Sequence, residues 1–164
     1  MISKAWEDRT SDTLVTAEAL ALIQDGQLLI SRFGEWPGFE DAEILSMNFD
    51  RGNHEWVIKT GNWDRRVPPS LTASFYVFDA SYSDADPRRR PSEATIRFEE
   101  FQTFEMDGFN YQNPIIGLSL AVQYSQALKT DLLFVNWGGT GMQHEVSFLC
   151  ASARVLSVVA RDGI

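Results

Sequence analysis

The chain has 164 residues, 44% of them hydrophobic and 23% charged, with eleven Phe and five Trp. That content excludes an intrinsically disordered chain, which lacks the apolar surface to offset its ordering entropy, and the length suits one domain over residues 1–164 that buries about 70% of its unfolded surface. Twenty-three acids against fourteen bases leave a net charge of −9, which repels phosphate backbones, argues against nucleic acid as a partner, and favours solubility or a basic protein partner.

The amino-terminal stretch Met1–Asp8 lacks the apolar core of a signal peptide. No run of 18 apolar residues is present, so no membrane-spanning helix and no membrane partner are expected, and a cytoplasmic location follows as an expectation. Residues 13–33 carry the helical signal. Leu14, Ala17, Leu20, Ala21, Leu28 and Leu29 fall near helical spacing, Asp12 or Thr13 is positioned to cap, and Asp25-Gly26 breaks the run. A second short helix capped by Asp25 is predicted to end at Gly34 as its C-terminal glycine.

From Ile44 the period becomes two. Ile44, Met47 and Phe49, then Trp56, Val57 and Ile58, predict two strands joined as a hairpin through Arg51-Gly52-Asn53-His54. Pro68-Pro69 stops regular structure. Leu71, Ala73, Phe75 and Val77 alternate with Thr72, Ser74, Tyr76 and Phe78, as in a strand with both faces partly covered. Ser81 to Ser92, with its charges and two prolines, reads as a surface loop. Ile96 and Phe98 mark the next strand, and Glu99-Glu100 interrupts the alternation, predicting a bulge near Phe101. Leu118, Leu120, Val122 and Tyr124, then Asp131–Trp137 and Val146–Val159, complete the strands, the last two joined by the turn Gly138-Gly139-Thr140-Gly141. The predicted class is α+β, with the N-terminal helices packed on a mainly antiparallel, meandering sheet.

Few residues offer chemistry. Cys150, the single cysteine, sits in an apolar strand with no base beside it and reads as a small core residue. Asp41 and Glu43 lie two apart, so in a strand they share a face; with Asp50 nearby they are the candidate pair for a small hydrolase or a ligand site. Two carboxylates are too few for a hard metal, and His54 and His144 are far apart in sequence, so no metal, no cofactor and no catalytic residue are assigned. The structural alternative has Asp41 holding the turn after Phe39. Asn136-Trp137-Gly138-Gly139-Thr140-Gly141-Met142 lacks the lysine of a phosphate loop and reads as a hairpin turn. An aromatic groove built from Trp36, Trp63 and Trp137 is a third reading. Arg88-Arg89-Arg90, beside Asp84 and Asp86, is a mixed-charge loop tip rather than a nucleic-acid patch. Glu99, Glu100, Glu105 and Asp107 form an acidic strip suited to a basic partner.

Phe33-Gly34-Glu35-Trp36-Pro37-Gly38-Phe39-Glu40-Asp41-Ala42-Glu43-Ile44 resembles the Phe-Gly-x-Trp-Pro-Ser-Phe-His-Asp-Ala-Glu-Val stretch of the polymorphic-toxin immunity proteins called immunity protein 50. Phe109-Asn110-Tyr111-Gln112-Asn113 is similar to that family's Phe-Asn-x-Gln-Asn, and Phe148-Leu149-Cys150 to its final strand. The likeness runs over about residues 28–158. Glu40 stands where the family has His and Gly38 where it has Ser, which favours a structural role for Asp41 and Glu43 in the turn from helix to sheet; the other motif residues, Trp36, Pro37, Phe39, Asn110, Gln112 and Asn113, are likewise expected to be structural. The resemblance implies a cytoplasmic antidote, not an enzyme, that binds and blocks a cognate toxin such as a nuclease. The acids at Asp84, Asp86, Glu99, Glu100, Glu105 and Asp107 would be its contact residues. Nothing in the sequence selects an oligomeric state.

Overall fold

The computed structural model describes residues 14–57, 60–77, 85–86, 90–108, 115, 117–138 and 145–161. In chain order these form α1 (Ala17–Leu20), β1 (Ile23–Gln24), α2 (Gln27–Phe33), β2 (Glu43–Asp50), β3 (Asn53–Val57), β4 (Asn62–Val67) and β5 (Ser70–Val77). There follow β6 (Ser92–Glu99), β7 (Thr103–Asp107), β8 (Leu118–Ser125), β9 (Thr130–Gly138), β10 (Glu145–Cys150) and β11 (Ser152–Ala160). The architecture is mostly antiparallel β. It is not one meandering sheet: a five-stranded sheet ordered β1-β11-β6-β5-β2 lies against a four-stranded sheet ordered β7-β10-β9-β8, and β3-β4 stands as a separate pair.

Two bent ribbons generate this arrangement. In the first, β2 and β5 pair from Glu43↔Tyr76 to Asp50↔Ser70, and the same two chains continue as β3 and β4 from Asn53↔Val67 to Val57↔Asn62. The ladder breaks where Arg51-Gly52 faces Pro68-Pro69, because proline has no N–H to donate. Gly52 takes a left-handed φ of 75° and donates its N–H to Asp50 Oδ1 at 2.8 Å. The hairpin expected between β2 and β3 is therefore not formed. Arg51-Gly52 is a bend inside one long arm, and the tight connection lies at Thr60-Gly61 between β3 and β4.

The second ribbon belongs to both sheets. β6 pairs with β11 from Ser92↔Ala160 to Glu99↔Ser152, and β7 pairs with β10 from Thr103↔Leu149 to Asp107↔Glu145. Between Glu99 and Thr103 lie Glu100, Phe101 and Gln102; between Leu149 and Ser152 lie only Cys150 and Ala151. The extra residue on one arm is a bulge, as the broken alternation at Glu99-Glu100 predicts. Glu100 takes the left-handed φ of 53° that turns the corner. The bend stays hydrogen-bonded, Ala151 N–H donating to Glu99 O at 2.9 Å and Gln102 N–H to Leu149 O at 2.7 Å.

Between the sheets the strand alternation puts one apolar set face to face. β5 and β6 bury every second residue, and Phe75 and Phe98 from one sheet meet Trp137 and Phe148 from the other at 4.9–5.9 Å between ring centroids. Phe75–Trp137 and Phe98–Phe148 pack edge-on, an arrangement preferred because the positive ring edge meets a negative face. Ala19, Leu29 and Phe33 of the two helical turns enter the same core.

The segment from Leu14 to Gln24 departs from the expected helix, whereas the second, short helix is formed as α2. Leu14–Thr16 instead lies along β8, with Thr16 N–H donating to Leu120 O and Leu120 N–H to Leu14 O. Thr16, not Asp12 or Thr13, caps α1, its Oγ1 accepting from Ala19 N–H at 3.2 Å. Asp12 and Thr13 lie outside the described residues. Ile23-Gln24 pairs in parallel with β11 at Ala153-Arg154. β-Branched Val15, Thr16 and Ile23 suit extended backbone, and two sheet edges offer partners that local spacing does not reveal. Gly26, not Asp25, stands at the N-cap of α2, while Gly34 ends it as expected, at φ 86° with its N–H on Ile30 O. No helix among the described residues is long and apolar enough to cross a membrane.

Candidate functional site

The motif stretch builds a turn between α2 and β2. Phe33, Pro37, Phe39, Ala42 and Ile44 are buried, whereas Glu35, Gly38, Glu40, Asp41 and Glu43 are exposed. Phe39 and Asp41 both take φ of 58°, and Ala42 N–H closes the turn on Phe39 O at 3.1 Å. Phe39 bridges half-buried Trp36, 6.0 Å away, to Phe75 at 5.5 Å. Asp41 is thus a turn residue and not a strand neighbour of Glu43, so the two do not share a strand face. Among the described residues no three His, Cys, Asp or Glu side chains are grouped to hold a metal. The backbone of His54 is in β3; His144, Asn110, Gln112 and Asn113 lie outside the described residues.

Trp137 is fully buried between the sheets, so it lines no groove with Trp36. Cys150 is equally buried, its Sγ 3.8 Å from Leu133 O. Burial pushes the thiol far above its ordinary value of 9.0, Glu99 adds to the rise, and a hydrogen bond with the Ser152 backbone opposes it. Because the folded state holds this proton longer than the unfolded one, stability from the group is complete below pH 9.0 and declines as pH climbs above it. In the native protein at pH 8, Cys150 is expected to resist a thiol-disulfide reagent and to react only as fast as the chain opens. Immediate stoichiometric labelling would contradict this.

The acidic residues follow the second ribbon around its corner. Glu99 is on the outer face of β6, where its Oε1 lies 3.1 Å from Arg97 Nε, near enough to ion-pair although off the N–H axis. Glu100 is exposed at the bend itself, and Glu105 and Asp107 are exposed on the outer face of β7. The register adds a residue that spacing along one strand could not show: Glu145 stands opposite Asp107 and accepts from Asn136 Nδ2 at 2.9 Å. Like charges in direct opposition cost stability, which the amide donor offsets in part. Asp86 is in the β5–β6 connection, which leaves the sheet at Val77 and returns at Ser92, the end of β6 opposite Glu99; Asp84 lies outside the described residues.

An apolar cluster that sequence reading missed borders these acids. Phe49 at the end of β2 meets Phe104 of β7 at 4.7 Å and Phe101 of the bend at 6.0 Å, while Phe49 and Met106 remain 47% exposed. The strands carrying them are far apart in sequence, so only the tertiary fold brings them together. The geometry offers aromatic and thioether surface beside a negative rim, an arrangement suited to protein recognition.

Set against known proteins, the chain matches no family model, and no curated protein or solved structure matches it.

Proposed function

We propose that this chain is a cytoplasmic protein of the immunity type, which neutralises a basic toxin domain by binding it and not by catalysis. The observation that carries the reading is the set of exposed acids on the second ribbon, Glu100 at the corner and Glu105 and Asp107 on the outer face of β7 with Glu145 opposite Asp107. A toxin that acts on a phosphodiester needs a positive active site, and a negative surface on its antidote both steers the encounter and penalises wrong partners. The net charge of −9 works in the same direction.

The test is co-purification with the C-terminal domain of a large secreted protein encoded beside this gene, together with rescue of the growth arrest that domain causes. Glu105→Lys with Asp107→Lys is expected to weaken the complex at least tenfold, chiefly by slowing association, and to leave the melting temperature of the free protein within a few degrees, since both side chains are exposed. An unchanged affinity in the double variant would remove these acids from the interface. Failure to bind or protect would remove the immunity reading itself.

A further inference from the structure

We infer that the edge of β7 left unpaired among the described residues receives an extended segment of the partner whose residues alternate basic and apolar, adding a fifth strand to the four-stranded sheet. The inference rests on the reading of the chain as a protein-binding inhibitor and specifies the form of the segment it takes. Each sheet has two edges, and the fold treats them differently. Residues 14–16 run along β8, and β1 is laid on β11. The edge of β2 is kinked by a register shift between Ile44 and Ser46, and Ile115 N–H ties down the chain just ahead of it at Ala42 O. Such cover and such bulges are how sheet edges are kept from pairing. β7 is paired only with β10 among the described residues and has an unbroken register across Thr103–Asp107.

The two faces of β7 set the chemistry of what fits. Glu105 and Asp107 point to the outer face, Phe104 and Met106 to the face that looks toward Phe49. A strand laid beside β7 presents its own residues with the same period of two. Lys or Arg then stands beside Glu105 and Asp107, while the alternate apolar side chains extend over Phe104 and Met106 and cover the exposed part of Phe49. Backbone hydrogen bonds would supply affinity and the alternating side chains the selectivity, as in other strand-addition interfaces. A second copy of this chain is a poor occupant: antiparallel pairing of β7 with itself about Glu105 sets glutamate against glutamate, which is repulsive. Of the chain's own arginine run, Arg90 is also ill placed. Arg90 is held at the α2 end of β6 through its carbonyl, which accepts from Arg32 Nη2 at 2.8 Å, and the eight residues of β6 put about 25 Å between that end and the corner.

The probe is an end-blocked seven-residue peptide alternating lysine and valine, compared with a peptide of the same composition in block order. Titration would be followed by amide hydrogen exchange and NMR shifts of the intact protein. The expected result is protection of the Thr103–Asp107 amides by the alternating peptide, with affinity at least tenfold above that of the block peptide. Glu105→Lys with Asp107→Lys should abolish that preference, and Met106→Ser should reduce it without altering the fold. Equal binding of the two peptides, no detectable binding, or shifts confined to other strands would overturn the inference. So would protection of β7 that grows with protein concentration alone, which would mean a second copy. A toxin complex that forms while the β7 amides stay unprotected would defeat the edge and spare the immunity reading; peptide docking without toxin binding would do the reverse.

Discussion

Replacing Trp137 with Ala is expected to lower the free energy of unfolding by about 3–5 kcal/mol, the range for removing a large aromatic side chain from a core. For a chain of this length that corresponds to a fall in melting temperature on the order of 10 °C. Trp137 is fully buried on β9, and its ring meets Phe75 at 5.3 Å, Phe148 at 5.4 Å and Phe98 at 5.9 Å. Three strands from two sheets thus converge on one side chain, so its loss leaves a cavity that no single strand can close. Its Nε1–H has no oxygen or nitrogen acceptor among the described residues, and a buried donor left unpaired is itself costly. Trp137→Phe should be milder than Trp137→Ala, because both remove the orphan donor but phenylalanine keeps a ring to fill most of the space between Phe75, Phe98 and Phe148. Chemical denaturation of the two variants checks both statements. A Phe variant as damaged as the Ala variant would mean that a smaller ring does not restore the contacts between the sheets, and that the site requires the full indole.

How far the sequence reveals this fold depends on whether a strand is half-covered or fully covered, and on how distant its partner is. β5 and β6 show their alternation openly, because every second side chain enters the core and the others face outward. β9 loses that signal over Leu132–Val135, four buried residues in a row, since both of its faces are covered. The bulge at the corner is legible in Glu99-Glu100, where two acids in succession cannot both point outward from a regular strand. The stretch from Leu14 to Gln24 misleads for the opposite reason. Its apolar spacing is compatible with a helix, but its backbone groups are claimed by Leu120 and Ala153, more than a hundred residues away. The acids at Glu105 and Asp107 stand out in the sequence as a strip, whereas Glu145 joins them only through strand register and Phe49 only through the packing of β2 against β7. Local pattern identifies the parts of the candidate surface, and tertiary pairing decides which of them meet.

Gly52→Ala is expected to cost about 3 kcal/mol or more, a large effect for the addition of one methyl group. Two terms act together. Gly52 has φ of 75°, a region that strains any residue with a Cβ, and a Cβ built there would lie 1.9 Å from the Val67 carbonyl oxygen and 2.8 Å from the Pro68 carbonyl carbon and oxygen. Those atoms are backbone of the opposite arm, fixed by the Asn53↔Val67 pairing on one side and Asp50↔Ser70 on the other. No rotamer change relieves the overlap, so the bend between β2 and β3 must open. Two other glycines separate the terms. Among the described residues Gly61 has φ of 62° but nothing within 4 Å of its Cβ position, and Gly38 has neither a left-handed φ nor a neighbour that close. Gly61→Ala should therefore cost about 1 kcal/mol from backbone strain alone, and Gly38→Ala should be neutral or stabilising by a few tenths through the unfolded state. Thermal unfolding of the three variants side by side gives the order Gly52, Gly61, Gly38 in decreasing damage. If Gly52→Ala proved no worse than Gly61→Ala, the close approach of the two arms at Pro68-Pro69 would be wrong, and with it the account of how the first ribbon turns.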